Sequence, residues 1–190
     1  MSAADVRSAV VEAAREMLRL GLVTGTSGNV SARDGASVLI TPAALKYEAM
    51  SEQDVVELAP DGEALEEDAA PSSERRVHTA IYSARPDVAA IVHTHSVHAT
   101  AWSFLGEPLD TGTEELEAAV GGAVMTARYA PTGTDEIATA AVEALGDRGA
   151  VLLGRHGVVA VGESPSEALR AAVVVERQAQ MAWLLRGQRA

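Results

Sequence analysis

The sequence contains no cysteine, and this absence narrows the chemistry that is open to the chain. Disulfides, thiolate zinc sites and thiol nucleophiles are excluded together, so any metal site must be built from histidine and carboxylate ligands. Aromatic residues are also scarce, at 3% of the chain. We therefore expect a hydrophobic core made mainly of alanine, valine, leucine and isoleucine.

Basic residues are also few in comparison with acidic residues. The 15 lysine and arginine residues face 27 aspartate and glutamate residues, which gives a formal net charge of −12. The surplus of acidic residues repels the phosphate backbone of nucleic acids, and the sequence has no stripe of basic residues. Nucleic acid is therefore not an expected partner. No apolar run approaches the ~20 residues that span a bilayer, and Met1–Arg7 lacks the features of a signal peptide. We expect a cytoplasmic protein without a membrane partner.

The hydrophobic pattern alternates between two periods along the 190 residues. Period-2 and short apolar runs predict strands, and an Asp34-Gly35 pair predicts a hairpin between the first two. Helical spacing and capping signals, including boxes at Thr111–Glu114 and Ser164–Glu167, predict helices between them. With no repeat and no linker, the pattern predicts one α/β domain over residues 1–190. The predicted strands are 28–33, 37–40, 55–58, 88–95, 151–153 and 158–161. The predicted helices are 6–20, 74–84, 97–105, a short one opened by the box at Thr111–Glu114 and ended by Gly121-Gly122, 134–145, and 165 onward.

Two histidines stand at the end of an apolar strand, in the run Val88–His95. Alternate side chains of a strand share a face, so His93 and His95 are expected to point the same way. Two neutral imidazoles on one face can clamp a metal ion. Taken alone, a His-x-His pair is also compatible with two ordinary polar residues at a strand end.

A third histidine, His156, falls in a tight connection between two apolar strands, flanked by Gly154 and Gly157. Such a turn can present an imidazole rigidly, although a plain turn histidine fits the same pattern. Three of only five histidines placed in this way favour a metal site formed by His93, His95 and His156. The other two are left outside it: His78 falls in the middle of a helix, and His98 lies beyond the strand.

A carboxylate and several small polar residues complete the candidate site. Glu74 is expected in the first turn of a helix, where the helix dipole favours its charge, and is a candidate base. Ser72 and Ser73 before it offer hydroxyls and amides to an anion, although simple capping explains them equally well. The segment Gly25–Ser31 is a second place where backbone can approach an oxyanion closely, or else a glycine-rich entry to a hairpin.

Taken in order, these segments resemble the class II aldolase/adducin family. The resemblance extends from the first predicted helix to the last, and the fixed order of the segments makes it specific. The matching segments are Gly21-Leu22, Gly25–Ser31, Leu39–Pro42, Pro71–Glu74, Arg85–Asp87, Val92–His98 and Leu153–Gly157.

The resemblance implies an α/β/α fold with a central, largely antiparallel sheet and a fourfold-symmetric homotetramer with sites at subunit interfaces. It also implies that His93, His95 and His156 hold zinc, with Glu74 as a further ligand and as the acid/base. Manganese, cobalt or iron would suit the same ligands. The phosphate of a small sugar substrate would be held by residues of three loops. These residues are Thr26, Gly28, Asn29, Thr41, Ser72 and Ser73.

The implied reaction is cleavage of a ketose 1-phosphate, of the fuculose 1-phosphate type, into dihydroxyacetone phosphate and an aldehyde. Cleavage leaves negative charge on an enediolate, for which a bound cation would act as Lewis acid, and Glu74 would carry the proton. A lysine Schiff base is not required, and Lys46 is the only lysine.

Three departures from the family pattern bear on the substrate. Ala43-Ala44 stands where the aldolases commonly have a Thr/Ser-Gly pair, which we expect to reshape the phosphate site. Glu115 stands where a tyrosine reaches the neighbouring subunit's site, so we expect a carboxylate contribution there. The chain ends at Ala190, soon after the last predicted helix, so we expect no long C-terminal tail over the site.

Other activities of the same family stay open at this point. A dehydratase, an epimerase or a decarboxylase acting on a sugar phosphate or sugar-acid phosphate would use the same metal ligands, although epimerases commonly have aspartate in place of Glu74. A non-catalytic, adducin-like interaction module is the alternative outside enzymes. Bound metal distinguishes that module from an enzyme.

Overall fold

In the computed structural model, which describes residues 3–188, helices and strands alternate along the chain as expected. A short 3-10 helix, Glu52–Asp54, precedes the third strand. The strands are β1 (Asn29–Asp34), β2 (Ser37–Ile40), β3 (Val56–Leu58), β4 (Ala90–Thr94), β5 (Met125–Ala127), β6 (Ala150–Leu153) and β7 (Gly157–Gly162). The helices are α1 (Ala3–Arg19), α2 (Arg75–Ala84), α3 (Val97–Ser103), α4 (Glu114–Val120), α5 (Asp135–Leu145) and α6 (Pro165–Gly187).

The strands form one sheet in the order β3-β2-β1-β4-β7-β6-β5. Every neighbouring pair is antiparallel except β5 and β6, which run parallel. The first hairpin turns at Gly35 and Ala36, where Gly35 has φ +61°, and Asp34 is the last residue of β1 and pairs with Ser37. The largely antiparallel sheet and the Asp-Gly hairpin are confirmed.

Helices cover both faces of this sheet. On one face α1, α3, α4 and α6 pack against residues such as Val92, and on the other α2 and α5 pack against residues such as Ile91. Alternation along the buried strands sends successive side chains to opposite layers. The result is the three-layer α/β/α arrangement, as expected, with valine, leucine, isoleucine and alanine making up most of both clusters.

Capping explains where several helices begin. Ser164 accepts a hydrogen bond from the Glu167 amide at the start of α6, and Thr134 does the same for Ile137 at the start of α5. The expected cap of α4 needs one correction. Thr113, not Thr111, caps this helix, because the helix begins at Glu114 and the Thr113 hydroxyl accepts a hydrogen bond from the Leu116 amide.

Other differences concern element ends and one strand that the pattern did not predict. β5 has only three residues and lies at the edge of the sheet, so its pairing with β6 rather than its own sequence determines it. β4 is shorter than the predicted 88–95, and His95 lies just past its last residue. Glu74 is the N-cap of α2 rather than part of its first turn.

One end of the sheet gathers the candidate site. Asn29 at the start of β1 pairs with His93 on β4, and Thr94 pairs with Val158 near the start of β7. The turn between β6 and β7 and the N-terminus of α2 lie at this same end. No helix of the described chain is both long and apolar enough to cross a membrane.

Candidate metal centre

His93 is the most deeply buried of the candidate ligands, with 1% of its surface exposed. Its Nδ1 lies 2.8 Å from the carbonyl oxygen of Val158 on the neighbouring strand. Because a carbonyl can only accept, Nδ1 carries the proton and Nε2 of the neutral ring carries the lone pair. That Nε2 lies 2.9 Å from Nε2 of His95. Strand pairing thus fixes the tautomer in which the lone pair of His93 points toward the second histidine.

His156 completes a triangle of imidazoles. The three ring centroids lie 4.8 Å apart pairwise, and the ring planes make angles of 62° to 75° with one another. These angles rule out stacking, so the rings meet through their edges. The arrangement directs ring nitrogens, rather than ring faces, toward a common centre.

Glu74 faces this triangle from the N-cap of α2. Its Oε2 lies 3.1 Å from Nε2 of His93, and its Oε1 lies 3.1 Å from Nε2 of His156. The side-chain amide of Asn29 donates a hydrogen bond of 2.8 Å to Oε2. One donor atom from each of the four residues lies within 4.8 Å of the others. We call Glu74, His93, His95 and His156 the histidine cluster.

Two glycines make this convergence sterically possible. A Cβ on Gly157 would overlap the Thr94 carbonyl oxygen and come within 3.1 Å of His95 and 3.2 Å of His93. Gly28 has φ +74°, and a Cβ there would lie 2.6 Å from the His93 carbonyl oxygen. The chain therefore passes so close to the histidines on two sides that a side chain at either position would displace them.

The electrostatics of the histidine cluster favour positive charge at its centre. Burial alone would raise the pKa of Glu74, but His93, His156 and the Asn29 hydrogen bond together hold that pKa far below its usual range. Burial and repulsion from His93 lower the pKa of both His95 and His156 to about 4. For His93, burial is outweighed by Glu74, which raises the pKa. At neutral pH Glu74 is therefore ionised, and the rings of His95 and His156 are neutral.

These residues fit a divalent cation on three observations. Glu74 Oε1 is buried without a hydrogen-bond partner among the described residues. The donor set, three imidazole nitrogens and one carboxylate, is one that zinc commonly takes. The contacts of 2.9 to 3.1 Å between donor atoms are near the ~3.3 Å separation that ~2.0 Å tetrahedral bonds impose.

A cavity of about 460 Å³ opens onto the histidine cluster. Five of the six residues expected to hold phosphate line it: Thr26, Gly28, Asn29, Ser72 and Ser73.

Thr41 is the exception among the expected phosphate residues. Its side chain is fully buried and its hydroxyl accepts a hydrogen bond from the Val30 amide. Within the described chain this hydroxyl braces β1 behind the cavity instead of lining it.

The remaining residues considered from the sequence lie outside the cavity. Glu115 is on α4, where it contacts Arg177 and Gln178 and does not reach the histidine cluster of its own chain. His98 pairs with Glu176 at 2.7 Å. His78 is fully buried against Ser31. Neither His78 nor His98 belongs to the group of possible metal ligands found in the described residues, in line with their exclusion from the predicted set.

Sequence reasoning did not single out Thr132, which lines the cavity beside His95 and His156. It lies in the turn Pro131–Gly133 before α5. A Pro-Thr-Gly turn carries no chemical signal of its own, and only the folding of this loop over the cavity brings it to the site. Ala43 and Ala44 also line the cavity, where the sequence had indicated a change from the family pattern.

Comparison with known proteins adds independent information. The sequence profile of the Class II Aldolase and Adducin N-terminal domain family matches residues 8–183. The chain is 41% identical over 172 residues to an L-fuculose phosphate aldolase of Escherichia coli (strain K12), covering 90% of this chain and 80% of that protein.

A second relative comes from Rhodospirillum rubrum. It is a 5-methylthioribulose-1-phosphate/5-deoxyribulose-1-phosphate aldolase, 38% identical over 178 residues, with 94% of this chain and 80% of that protein covered. Among solved structures, an L-fuculose 1-phosphate aldolase matches with a TM-score of 0.91 and 32% identity. That match covers 96% of this chain and 87% of the other.

Proposed function

Because the chain belongs to the class II aldolase and adducin family, we propose that it is a metal-dependent aldehyde-lyase. It cleaves a ketose 1-phosphate, of the fuculose 1-phosphate type, into dihydroxyacetone phosphate and an aldehyde. The observation that carries this proposal is the convergence of three imidazoles and Glu74 at one end of a cavity lined by small polar residues. A chain that serves only as an interaction module has no need of such a donor set.

In this proposal His93, His95 and His156 hold zinc, and Glu74 is the fourth ligand. Manganese, cobalt or iron would also suit three imidazoles and a carboxylate. When bound, the cation supplies a Lewis acid that polarises the substrate carbonyl and stabilises the negative charge of an enediolate. The Val158 carbonyl orients His93 so that its Nε2 is available.

Glu74 is the proposed acid/base. Breaking the carbon–carbon bond leaves its electron pair on the fragment that carries the carbonyl, as an enediolate. The other fragment becomes an aldehyde and loses its hydroxyl proton, and the enediolate carbon must gain a proton. Glu74 is ionised, buried and hydrogen-bonded to Asn29 at the mouth of the cavity. The imidazoles lower its pKa while it faces them, so turning away from them would let it take up a proton and carry it between these positions.

Recognition of the phosphate rests on neutral groups. The residues that line the cavity include no lysine or arginine. Hydroxyls of Thr26, Ser72 and Ser73, backbone amides near Gly28, and the N-terminus of α2 would receive the anion. Thr41 would contribute indirectly, because its hydroxyl holds β1 in place by accepting a hydrogen bond from the Val30 amide. Since Ala43-Ala44 adds no hydroxyl, we expect weaker phosphate binding here than a Thr/Ser-Gly pair would give.

The assembly is part of the same proposal. A homotetramer of single-domain chains, in the cytoplasm, would place α4 of one subunit near the cavity of another. Glu115 has a partly exposed carboxylate on α4, and it is positioned to serve a neighbouring site rather than its own. Sedimentation velocity together with the activity of Glu115→Gln tests this arrangement.

The substrate within the class is a separate question. The Rhodospirillum relative is named for 5-methylthioribulose 1-phosphate and 5-deoxyribulose 1-phosphate, which differ from fuculose 1-phosphate in the aldehyde half. All three are ketose 1-phosphates that would yield dihydroxyacetone phosphate. The proposal therefore covers this class, and the aldehyde half is decided by experiment.

The experiment combines metal analysis with product formation. The purified protein is analysed for bound metals and then supplied with the three ketose 1-phosphates while dihydroxyacetone phosphate is followed. We expect about one zinc per chain, as one four-ligand site holds, and product from at least one substrate. His93→Ala should lose both, and His98→Ala, an imidazole outside the cluster, should keep both.

Two results would redirect the proposal. Bound metal without dihydroxyacetone phosphate would reject the aldolase and favour the dehydratase, epimerase or decarboxylase activities of the family. Absence of metal from protein purified without chelator and reloaded with zinc would reject the enzyme and favour an adducin-like interaction module.

A further inference from the structure

Polar side chains connect β1 to α2 through the core behind Glu74. Alternate residues of β1 each contact a residue of α2, and the α2 partners are spaced by four. The spacing fits because two strand residues span ~6.8 Å and four helical residues span ~6 Å. We call this row of contacts the β1–α2 ladder. Its rungs are Asn29 with Glu74, Ser31 with His78, and Arg33 with Tyr82.

The middle rung is fully buried. Ser31 and His78 have no exposed surface and Tyr82 has 3%. The Ser31 hydroxyl lies 2.6 Å from Nδ1 of His78 and 2.8 Å from the Tyr82 hydroxyl. Burial lowers the pKa of His78 to about 3, so its ring is neutral at physiological pH. A neutral imidazole has one N–H, and its position follows from the hydrogen-bond chain.

Counting protons assigns that N–H to Nε2. If Tyr82 donates to Ser31 and Ser31 donates to Nδ1 of His78, each hydroxyl proton has an acceptor and the ring proton is on Nε2. In the opposite direction the Tyr82 proton has no acceptor and Nε2 is an unpaired acceptor as well. The first arrangement leaves one unpaired group instead of two, and each costs about 1–3 kcal/mol. His78 therefore presents an Nε2–H.

That Nε2 has no hydrogen-bond partner within the described chain, although it is fully buried. His78 lies one rung from Glu74 in the β1–α2 ladder, since Asn29 contacts the carboxylate and Ser31, two residues further along the same strand, contacts the His78 ring. Glu74 precedes His78 by one helical turn, and residues spaced in this way face the same side of a helix. A buried donor without a partner, beside a carboxylate expected to move, requires a functional explanation.

We propose that His78 is a positioning residue for Glu74, held in the Nε2–H tautomer by the Ser31 hydroxyl so that this donor supports the Glu74 carboxylate. The inference rests on the proposed function for the role of Glu74. His78 itself does not contact substrate or metal in this proposal. It acts only through the carboxylate, which would accept from Asn29 on one side and from His78 on the other when a cation is bound.

Two substitutions of His78 separate its two nitrogens. In His78→Asn the amide reaches the position of Nδ1 and can keep the Ser31 hydrogen bond, but nothing occupies the Nε2 position. In His78→Gln the amide nitrogen reaches the Nε2 position. We expect His78→Asn to lower cobalt affinity and kcat by about 10–100-fold, as loss of a group that supports a ligand does. His78→Gln should retain the cobalt affinity and kcat of the wild type, and KM should be unchanged in both variants.

Cobalt is the probe because its visible absorption reports the ligands directly. Apo protein is titrated with cobalt against a competing chelator, for wild type, His78→Asn, Glu74→Gln and the double variant. If His78 acts through Glu74, the Asn substitution causes no further loss in the Glu74→Gln background. Additive losses would mean a general structural role and would overturn the proposal. Thermal unfolding of each variant shows whether the fold is retained.

Tyr82→Phe is the matched control. It removes a hydroxyl from the far end of the same chain but leaves Ser31 free to donate to Nδ1, so cobalt affinity should match wild type. A loss equal to that of His78→Asn would overturn the tautomer argument. Failure of the proposed function can be told apart from failure of this inference. If wild-type protein binds cobalt but releases no dihydroxyacetone phosphate, the aldolase proposal is rejected. The comparison of cobalt affinities among the four proteins still decides the role of His78.

Discussion

Two buried polar clusters lie in this protein, and they differ in how their hydrogen bonds are satisfied. In the histidine cluster, Glu74 Oε1 and His156 Nδ1 are buried without partners among the described residues. In the second, the Gln178 side chain accepts from Thr111 and Thr113 and donates to Glu115 at 2.9 Å. We call Gln178 and these three residues the glutamine cluster, and none of its buried side-chain atoms lacks a partner.

The difference indicates what each cluster is for. A satisfied network fixes two elements relative to each other, here α4 and α6, and needs nothing further. A network with open donors and acceptors is costly unless a ligand completes it. The cluster that is incomplete within the chain is therefore the one expected to bind. The complete one is expected to contribute stability to its own chain, apart from the partly exposed Glu115 carboxylate proposed to serve a neighbouring subunit.

Backbone strain also distinguishes the surroundings of the histidine cluster from the glutamine cluster. In the described chain, two residues other than glycine have positive φ: Ala44 at 57° and Arg155 at 60°. Ala44 lines the cavity and Arg155 directly precedes His156. No such residue lies in the glutamine cluster. Strain that persists at a site indicates that the surrounding structure enforces it.

The largest expected effect comes from removing a ligand of the histidine cluster. His95→Ala deletes a nitrogen that lies 2.9 Å from Nε2 of His93. Loss of a group that merely supports a ligand lowers metal affinity about 10–100-fold, so losing the ligand should exceed about 100-fold and abolish activity. Elemental analysis after dialysis measures the retained metal. Full retention of metal by His95→Ala would break the comparison between the two clusters.

Glu74→Gln is expected to have the next largest effect, on the reaction rather than on the metal. The amide keeps the size of the side chain but cannot take up a proton, so kcat should fall about 10²–10⁴-fold. The three imidazoles should still hold metal, more weakly. Measurement of kcat at saturating zinc, with bound metal quantified in the same samples, separates these effects. Unchanged kcat would exclude Glu74 as the acid/base.

Gly157→Ala tests the close approach that shapes the histidine cluster. The added Cβ would overlap the Thr94 carbonyl oxygen and press on His95 and His93. We expect unfolding free energy to fall by about 3 kcal/mol, the upper range for overpacking, together with weaker zinc binding. Urea unfolding and chelator competition measure the two. Gly187→Ala is the control, since nothing lies within 4 Å of its added Cβ.

Gln178→Leu should lower stability and leave the metal site intact. The change removes the partner that the Thr111, Thr113 and Glu115 side chains share, which should lower the unfolding free energy by about 1–3 kcal/mol. The zinc content of the folded protein should match wild type, because the glutamine cluster does not contact the cavity of its own chain. If zinc binding weakened as well, the separation of a structural cluster from a binding cluster would not hold.

Part of the candidate site could be predicted from the sequence, and part could not. His93, His95 and His156 were predictable because strand alternation and a tight glycine turn restrict where their side chains point. Glu74 was predictable as a helix-start carboxylate, although its exact position, the N-cap, was not. Thr41 was not, because a sequence does not tell which hydroxyl faces a cavity and which braces a strand behind it.

The unpredicted features depend on contacts between distant segments. β5 forms because it pairs with β6, and Thr132 lies at the cavity because the loop before α5 folds over it. The β1–α2 ladder has regular spacing in both elements, but finding it requires knowing that β1 packs on α2. Local patterns therefore indicated the candidate ligands, and long-range packing determined what supports them.

The smallest expected effect concerns the strain at Ala44. Relieving a left-handed backbone gains about 1–2 kcal/mol for a residue with a Cβ, and glycine loses about 0.5–1 kcal/mol of that through its flexibility. Ala44→Gly should therefore stabilise the protein by about 0.5–1 kcal/mol in urea unfolding. Ala43→Gly, the neighbouring cavity residue without positive φ, should destabilise it by a similar amount. Opposite signs at adjacent positions would locate the strain at Ala44, whereas equal signs would show that flexibility alone sets the stability of this loop.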